Sequence, residues 1–214
     1  MYTFAVETSE VSSLLVRWRT VWRQLGAQAD EELFGKLVER YSEPHRRYHT
    51  TRHLQECFAH LEEVRSFAEQ ASEVELALWF HDAIYVTTRT DNEKLSAEWA
   101  RGSALSAGLS TDQAERIAGL VMATKHDAVP VGRDAAVLVD IDLAILGADA
   151  ARFDEYEVQI REEYAWVPES SYRNARRKIL QHFLDRERIY NTEFFQAAHE
   201  IRARENISRS LARL

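Results

Sequence analysis

Trp79-Phe80-His81-Asp82-Ala83-Ile84-Tyr85 places an imidazole and a carboxylate side by side within an apolar segment, residues 76–85, that is typical of a buried helix. Burial of both groups costs free energy unless hydrogen bonds, an opposite charge or a metal ion satisfies them. Consecutive helical residues point about 100° apart, so both side chains can lean toward one point across a groove. Imidazole and carboxylate together suit Mn, Fe, Zn, Ni or Mg. Taken alone, the dipeptide also fits a core histidine paired with its neighbouring acid.

The rest of the chain predicts further helices around this segment. Seven Gly and three Pro among 214 residues leave few turns for a β fold, and Ala, Leu, Glu and Arg are plentiful. Apolar residues recur at helical spacing over residues 10–27, 33–41, 54–67, 95–105, 114–121, 150–164, 172–187 and 193–214. No linker or repeat interrupts the pattern. We therefore predict an all-α fold in a single domain, residues 1–214.

A second apolar segment, residues 135–146, contains two acids, Asp140 and Asp142. The alternation of apolar and acidic residues in this segment would also fit a strand, but its alanines and its helical surroundings favour a helix. Residues two apart on a helix point about 200° from each other, so only one of the two acids can face a shared site.

Histidines also cluster before the apolar segment, since His45, His49 and His53 lie four residues apart. On one continuous helix they would share a face and form a metal site by themselves. Pro44 and the Thr50-Thr51 pair instead indicate a loop followed by a helix cap. This interpretation places His53 in the first turn of a helix.

Charge and cysteine content exclude several classes of protein. The net charge of −8 argues against a general nucleic-acid binder, although a bound metal ion can still attract a small anionic substrate. Cys57 is the only cysteine, so a disulfide within the chain is impossible. The amino terminus lacks the pattern of a signal peptide, and no uncharged run approaches the length of a membrane span. We expect a cytoplasmic protein without membrane association, and its oligomeric state stays open.

Several segments taken in order resemble the HD superfamily of metal-dependent phosphohydrolases, and most closely its small, all-helical bacterial branch. The resemblance covers residues 45–206, and its segments are Tyr48-His49-Thr50-Thr51-Arg52-His53, Trp79-Phe80-His81-Asp82-Ala83-Ile84-Tyr85, Asn92-Glu93-Lys94-Leu95-Ser96-Ala97, Asp140-Ile141-Asp142-Leu143-Ala144-Ile145-Leu146-Gly147, Ile160-Arg161-Glu162-Glu163-Tyr164 and Ala203-Arg204-Glu205-Asn206.

The resemblance implies a helical bundle of HD type with terminal helical additions and a metal-site core at about residues 45–147. It also implies one divalent metal ion, Mn, Fe, Ni, Zn or Mg, with four ligands: His53, His81, Asp82 and Asp142. Asp140 is then a capping residue or a partner of the ligands. His126 is the only histidine between the His-Asp pair and the last acid, and a second metal ion would need further histidines there. A site with two metal ions is therefore not expected.

The function implied is hydrolysis of a phosphate ester or anhydride, with a small phosphorylated substrate such as a nucleotide. Asp82 would ligate the metal and orient a water molecule, and His126 would pass a proton. His49 and Lys125 would contact phosphate, although each also fits a structural role.

Two other classes of protein remain open. Some HD members carry a catalytic Glu three residues after the His-Asp pair, where this chain has Tyr85. The chain therefore also fits a binding or regulatory HD module for nucleotides or other anions, in which the metal is structural. In a third interpretation the acids and histidines of a helical scaffold merely pair with each other, and no metal binds.

Overall fold

The part of the chain that the structure describes folds into ten α-helices. The computed structural model describes the backbone of residues 2–214 and the side chains of residues 11–214. The helices are α1 (Tyr2–Gln24), α2 (Glu31–Tyr41), α3 (Thr51–Val64), α4 (Ala71–Phe80), α5 (Asn92–Ser106), α6 (Thr111–Ala123), α7 (Arg133–Asp142), α8 (Ala150–Glu163), α9 (Glu169–Asp185) and α10 (Glu193–Arg213). Short 3₁₀ segments, Arg65–Phe67 and Leu143–Gly147, follow α3 and α7. Residues 2–214 contain no strand, so the predicted all-α, single-domain class is confirmed.

Helix α4 lies at the centre of the fold and packs against α1, α3, α5, α6 and α7. Every residue from 73 to 80 is buried, including two glutamates that pair with arginines at the helix start. Trp79 packs against the rings of Trp18, Phe34 and Phe58 at centroid distances of 4.8 to 6.0 Å. A helix apolar on all sides needs such a shell of neighbours. The chain segment that leaves α4 therefore starts in the interior of the protein.

Several helix boundaries follow the sequence signals. The Asp30 side chain accepts hydrogen bonds from the main-chain N–H groups of Glu32 and Leu33. Asp30 therefore caps the start of α2, as aspartate commonly does before a helix. Gly26 and Gly108 adopt φ values of 83° and 88°, a conformation that favours glycine where a helix ends. Thr50 stands at the start of α3, so His53 lies in its first turn as predicted.

Other boundaries differ from the predictions. Helix α4 ends at Phe80, and His81 and Asp82 lie in the turn that follows rather than inside the helix. The sequence Ser72 to Glu75 has the spacing of a capping box, but α4 begins at Ala71 and the Ser72 hydroxyl donates to Gln24 instead. Ser110 caps α6 in a reciprocal pair with Gln113.

The carboxy-terminal helix α10 packs against the 3₁₀ segment that follows α7. A Cβ atom added to Gly147 would lie 2.6 Å from the Cβ of His199, so only glycine fits there. Asn206 donates from its amide to the carbonyls of Leu146 and Ala148 at 2.9 Å. These contacts fix the chain a few residues beyond Asp142. Among the described residues, no helix has both the length and the apolar character required to cross a lipid bilayer.

Candidate metal centre

His53, His81, Asp82 and Asp142 converge in the interior of the protein. They come from the first turn of α3, the turn after α4 and the last residue of α7. The Nε2 atoms of His53 and His81 face each other at 3.0 Å. Asp142 Oδ1 lies 3.4 Å from the first nitrogen and 3.6 Å from the second. Asp82 Oδ2 lies 3.6 and 3.0 Å from the same two nitrogens.

The spacing and chemistry of these atoms fit a divalent metal ion. Ligand atoms about 2.1 Å from one ion lie about 3.0 to 3.4 Å from each other in octahedral or tetrahedral geometry. The Nδ1–H of His81 donates to the carbonyl of Leu78 at 2.7 Å, which leaves the Nε2 lone pair directed at the cluster. Two imidazole nitrogens that face each other at 3.0 Å beside two carboxylates can either share a hydrogen bond or bind one metal ion between them. The group can therefore hold a metal ion.

The protonation preferences of the cluster show how strongly its charges interact. Burial acts to raise the pKa of Asp142, but hydrogen bonds from three histidines outweigh burial and hold that pKa well below its usual value: His126, His53 and His81. Burial acts to lower the pKa of His81, yet the neighbouring Asp82 and Asp142 raise it well above its usual value. Both acids are thus ready to act as carboxylate ligands.

Cys57 belongs to the same cluster, although the sequence reasoning counted it only as an apolar residue of α3. It lies one helical turn after His53, and its Sγ atom is 3.7 Å from either ring nitrogen of that histidine. The potential ligand atoms of Cys57, His53, His81 and Asp142 all lie within 4.8 Å of one another. The spacing of four residues from a ligand histidine was the signal available in the sequence.

His126 and Lys125, predicted from the turn after α6, have different surroundings. The Nε2–H of His126 donates to Asp142 Oδ2 at 2.9 Å, and its Nδ1 is buried without a partner among the described residues. The backbone of His126 has a φ of 58°, which a non-glycine residue rarely adopts. Lys125 is exposed and pairs with Asp127 at 2.7 Å. His126 therefore belongs to the cluster, whereas Lys125 lies at the rim.

His49, a predicted phosphate contact, is held by the buried carboxylate of Glu163 at the end of α8. Its Nδ1–H donates to Glu163 Oε2 at 2.7 Å, and Tyr85 donates its hydroxyl to the same oxygen at 2.8 Å. Glu163 Oε1 accepts three main-chain N–H groups, from residues 47, 48 and 49. Burial acts to raise the pKa of Glu163, but His49 and these donors lower it to about 2. The His49 Nε2 atom has no partner among the described residues.

A buried arginine joins the loop of His49 to the turn of the ligands. Arg46 donates to the main-chain carbonyls of His49, Asp82 and Ala83 at 2.6 to 3.2 Å, and its side chain is fully buried. These carbonyls would otherwise lack partners in the interior, because the chain is not helical there. Neither Arg46 nor Glu163 could be assigned from sequence, since the contacts of Arg46 with Asp82 and of Glu163 with His49 join distant parts of the chain.

Asp140, the acid that was predicted not to be a ligand, faces away from the cluster. It accepts four hydrogen bonds of 2.7 to 2.8 Å from the main chain and side chains of Asn191 and Thr192. Asp140 thereby holds the start of α10 against α7. The prediction that only one acid of the pair faces the site is consistent with this geometry.

A cavity of about 690 Å³ leads from the cluster to the surface. Asp82, Asp142, His49 and His126 lie at its inner end, and α8 and α9 form its outer wall. A cavity of this size is typical of sites for small molecules.

Searches of protein-family models, curated proteins and solved structures find no match to this chain.

Proposed function

We propose that this protein is a metal-dependent phosphohydrolase of HD type that acts on a phosphate ester or anhydride. The observation that carries the proposal is the convergence of His53, His81, Asp82 and Asp142 at ligand spacing beside an open cavity. Their order along the chain, His, His-Asp, Asp, is the order of the HD superfamily. A helical scaffold without metal would not require two imidazole nitrogens to face each other.

These four residues would hold the cation, and Cys57 lies next to them. A divalent cation supplies the positive charge that polarises a phosphoryl oxygen and lowers the pKa of a water molecule. The charges of two carboxylates and neutral imidazoles suit Mn, Fe, Ni, Zn or Mg, and a thiolate would favour the softer of these.

The remaining steps fall to side chains at the inner end of the cavity. Asp82 directs Oδ2 at the cluster and its side chain is partly exposed, so its other oxygen can orient the attacking water. His49 faces the cavity with a free Nε2, and Glu163 fixes the ring by its Nδ1–H. We assign this nitrogen to a phosphoryl oxygen of the substrate.

His126 and Lys125 take supporting parts in this proposal. The Nε2 of His126 is committed to Asp142, so His126 holds that carboxylate in place, and a role in proton transfer requires this bond to open. Lys125 lies beside the cavity and can reach phosphate only if its ion pair with Asp127 breaks.

Metal analysis of the purified protein and of two variants tests the proposal. We expect bound metal in the protein, and loss of both metal and phosphohydrolase activity in His81→Ala and in Asp82→Ala. His60→Ala is the matched control, because His60 lies on α3 and, among the residues that the structure describes, its ring nitrogens contact only exposed Glu63. Metal content and activity that stay unchanged in both ligand variants would contradict the proposal.

A binding or regulatory module is the second candidate, and the surroundings of Tyr85 favour it. Tyr85 stands where some HD members carry a catalytic Glu, and its hydroxyl is bound to Glu163. Glu163 does not replace that acid, because its side chain is fully buried and five donors occupy its oxygens. Tight nucleotide binding without turnover in the presence of Mn, Mg, Ni, Co and Zn would favour this candidate.

A further inference from the structure

We propose that the substrate is a phosphate monoester whose remaining part is apolar or aromatic, and that polyphosphates are poor substrates. This inference rests on the proposed function and concerns the outer part of the same cavity. It follows from two features of the cavity walls: their apolar surface, and the small number of cations that the protein leaves without an ion-pair partner.

The outer wall presents apolar and aromatic side chains from two helices. Helix α9 contributes Tyr172, Ile179 and Phe183, which follow each other at helical spacing. Helix α8 contributes Ile160, and Tyr164 comes directly after its end. Ile179 is 48% exposed although it lies beside the buried Leu180. An exposed isoleucine in a cavity loses contact with water only when a ligand covers it, and that burial contributes to affinity.

The basic side chains of the cavity wall are mostly neutralised by the protein itself. Arg176 is buried under Tyr156 and forms an ion pair with Glu157. Lys125 pairs with Asp127. Lys178 is the one Lys or Arg of the cavity lining without an ion-pair partner among the described residues.

Arg186, just outside the lining, keeps its positive charge, but one of its nitrogens is already engaged by the protein. It donates to the carbonyl of His126 at 3.1 Å and contacts the ring of His182 at 3.0 Å. Glu93 and Asp127, which line the cavity, bring negative charge to the same rim. A single phosphate already carries about −1.5 to −2 charges at pH 7, so a chain of phosphates beyond the metal centre would meet too few cations.

The cavity therefore has room and chemistry for one phosphoryl group at its inner end and an uncharged body outside it. The inner end offers the candidate metal ligands and the free nitrogen of His49, and the cavity measures about 690 Å³. This volume admits a ring system with its phosphate, and the side chains of Tyr164 and Tyr172 contribute aromatic surface to the lining.

A matched series of substrates tests the inference. We will compare kcat/KM for phenyl phosphate, glycerol 1-phosphate, adenosine monophosphate and adenosine triphosphate with the metal-loaded protein. We expect kcat/KM for phenyl phosphate to be at least about tenfold higher than for glycerol 1-phosphate. We also expect kcat/KM for adenosine monophosphate to be at least about tenfold higher than for adenosine triphosphate. Equal or higher values for the triphosphate or for glycerol 1-phosphate overturn the inference.

Two lysine substitutions, one in the cavity wall and one outside it, test whether the wall causes the preference for the monophosphate. Ile179→Lys adds a cation to the apolar wall and should lower the preference for monophosphate over triphosphate at least about threefold. Ile201→Lys is the control, because Ile201 is an isoleucine on α10 that is 73% exposed and does not line the cavity. An equal ratio of kcat/KM for monophosphate over triphosphate in the two variants would contradict the proposal that the cavity wall sets this preference.

A binding measurement gives a readout that does not depend on turnover. Calorimetric titration of phenylphosphonate and methylphosphonate should show at least about tenfold tighter binding of the phenyl compound. Equal affinities overturn the inference even if no tested ester is hydrolysed. The proposed function fails separately, when His81→Ala and Asp82→Ala leave metal content and activity unchanged.

Discussion

Asp140 and Asp142 stand two residues apart on α7, yet they have opposite surroundings. Asp140 is fully buried and accepts four hydrogen bonds from the segment before α10. Asp142 faces three histidines and the cavity. Burial raises the pKa of Asp140 above its usual value, whereas the histidines lower that of Asp142. A separation of two residues on α7 thus distinguishes an acid that stabilises the fold from an acid that faces the cavity and is available for chemistry.

Asp142→Asn should produce the largest effect on activity. The amide keeps the size of the side chain but removes the negative charge that a metal ion requires. We expect activity to fall about 100-fold or more and metal content to fall with it, while the helical circular dichroism spectrum stays unchanged. Asp142→Asn protein with full metal content would show that Asp142 is not a ligand.

Asp140→Ala should produce the opposite pattern. It leaves four donors of Asn191 and Thr192 without their acceptor and should lower the free energy of unfolding by about 4 kcal/mol. Chemical denaturation measures this loss. The folded fraction should still bind metal within about twofold of the original protein. Loss of metal from protein that is still folded would contradict the separation of the two roles.

Glu163→Gln tests a third acid that resembles Asp140 in its hydrogen bonds but lies beside the site. The pKa of Glu163 is about 2 in the folded protein against an ordinary 4.5, so its ionised form stabilises the fold. This stabilisation is complete above pH 4.5 and is lost as the pH falls toward 2.

Glu163→Gln should therefore lower the free energy of unfolding by about 3 kcal/mol at pH 7, and this loss should vanish near pH 2. Chemical denaturation of both proteins at a series of pH values measures the loss. Tyr85→Phe is the control, because it removes one donor to Glu163 and leaves the carboxylate in place. A difference that does not depend on pH would rule out the ionised carboxylate as its source.

Thr192→Val should give the smallest effect. It removes the hydroxyl that donates to Asp140 Oδ2 at 2.7 Å but keeps the main-chain donor of the same residue. We expect a loss of about 1 kcal/mol in the free energy of unfolding and unchanged metal content. A change in metal content here would mean that the two acids are coupled through α7.

The sequence predicted the helices well where local chemistry sets them. The cap at Asp30 and the glycines that end helices act within a few residues, and the continuous apolar segment of α4 identified the centre of the fold. The end of α4 was placed too late, because His81 still has helical backbone angles although the helix ends at Phe80.

The partners of the site were less accessible to sequence reasoning. Glu163 lies more than one hundred residues from His49, and nothing local to either residue indicates their contact. Arg46 was one basic residue among several in its loop. The ligand set itself was proposed from ordered motifs, and the structure brings these side chains together. That they bind metal stays a prediction.

The contacts between Gly147, Asn206 and α10 bear on the order in which the protein matures. On the ribosome, His53, His81, Asp82 and Asp142 are all synthesised before α10, residues 193–213. Because nascent chains fold from the amino terminus, we expect the cluster to reach its final geometry only after α10 has been made and has packed beyond Asp142. A cation would then be acquired after this helix docks and not when the four side chains first emerge.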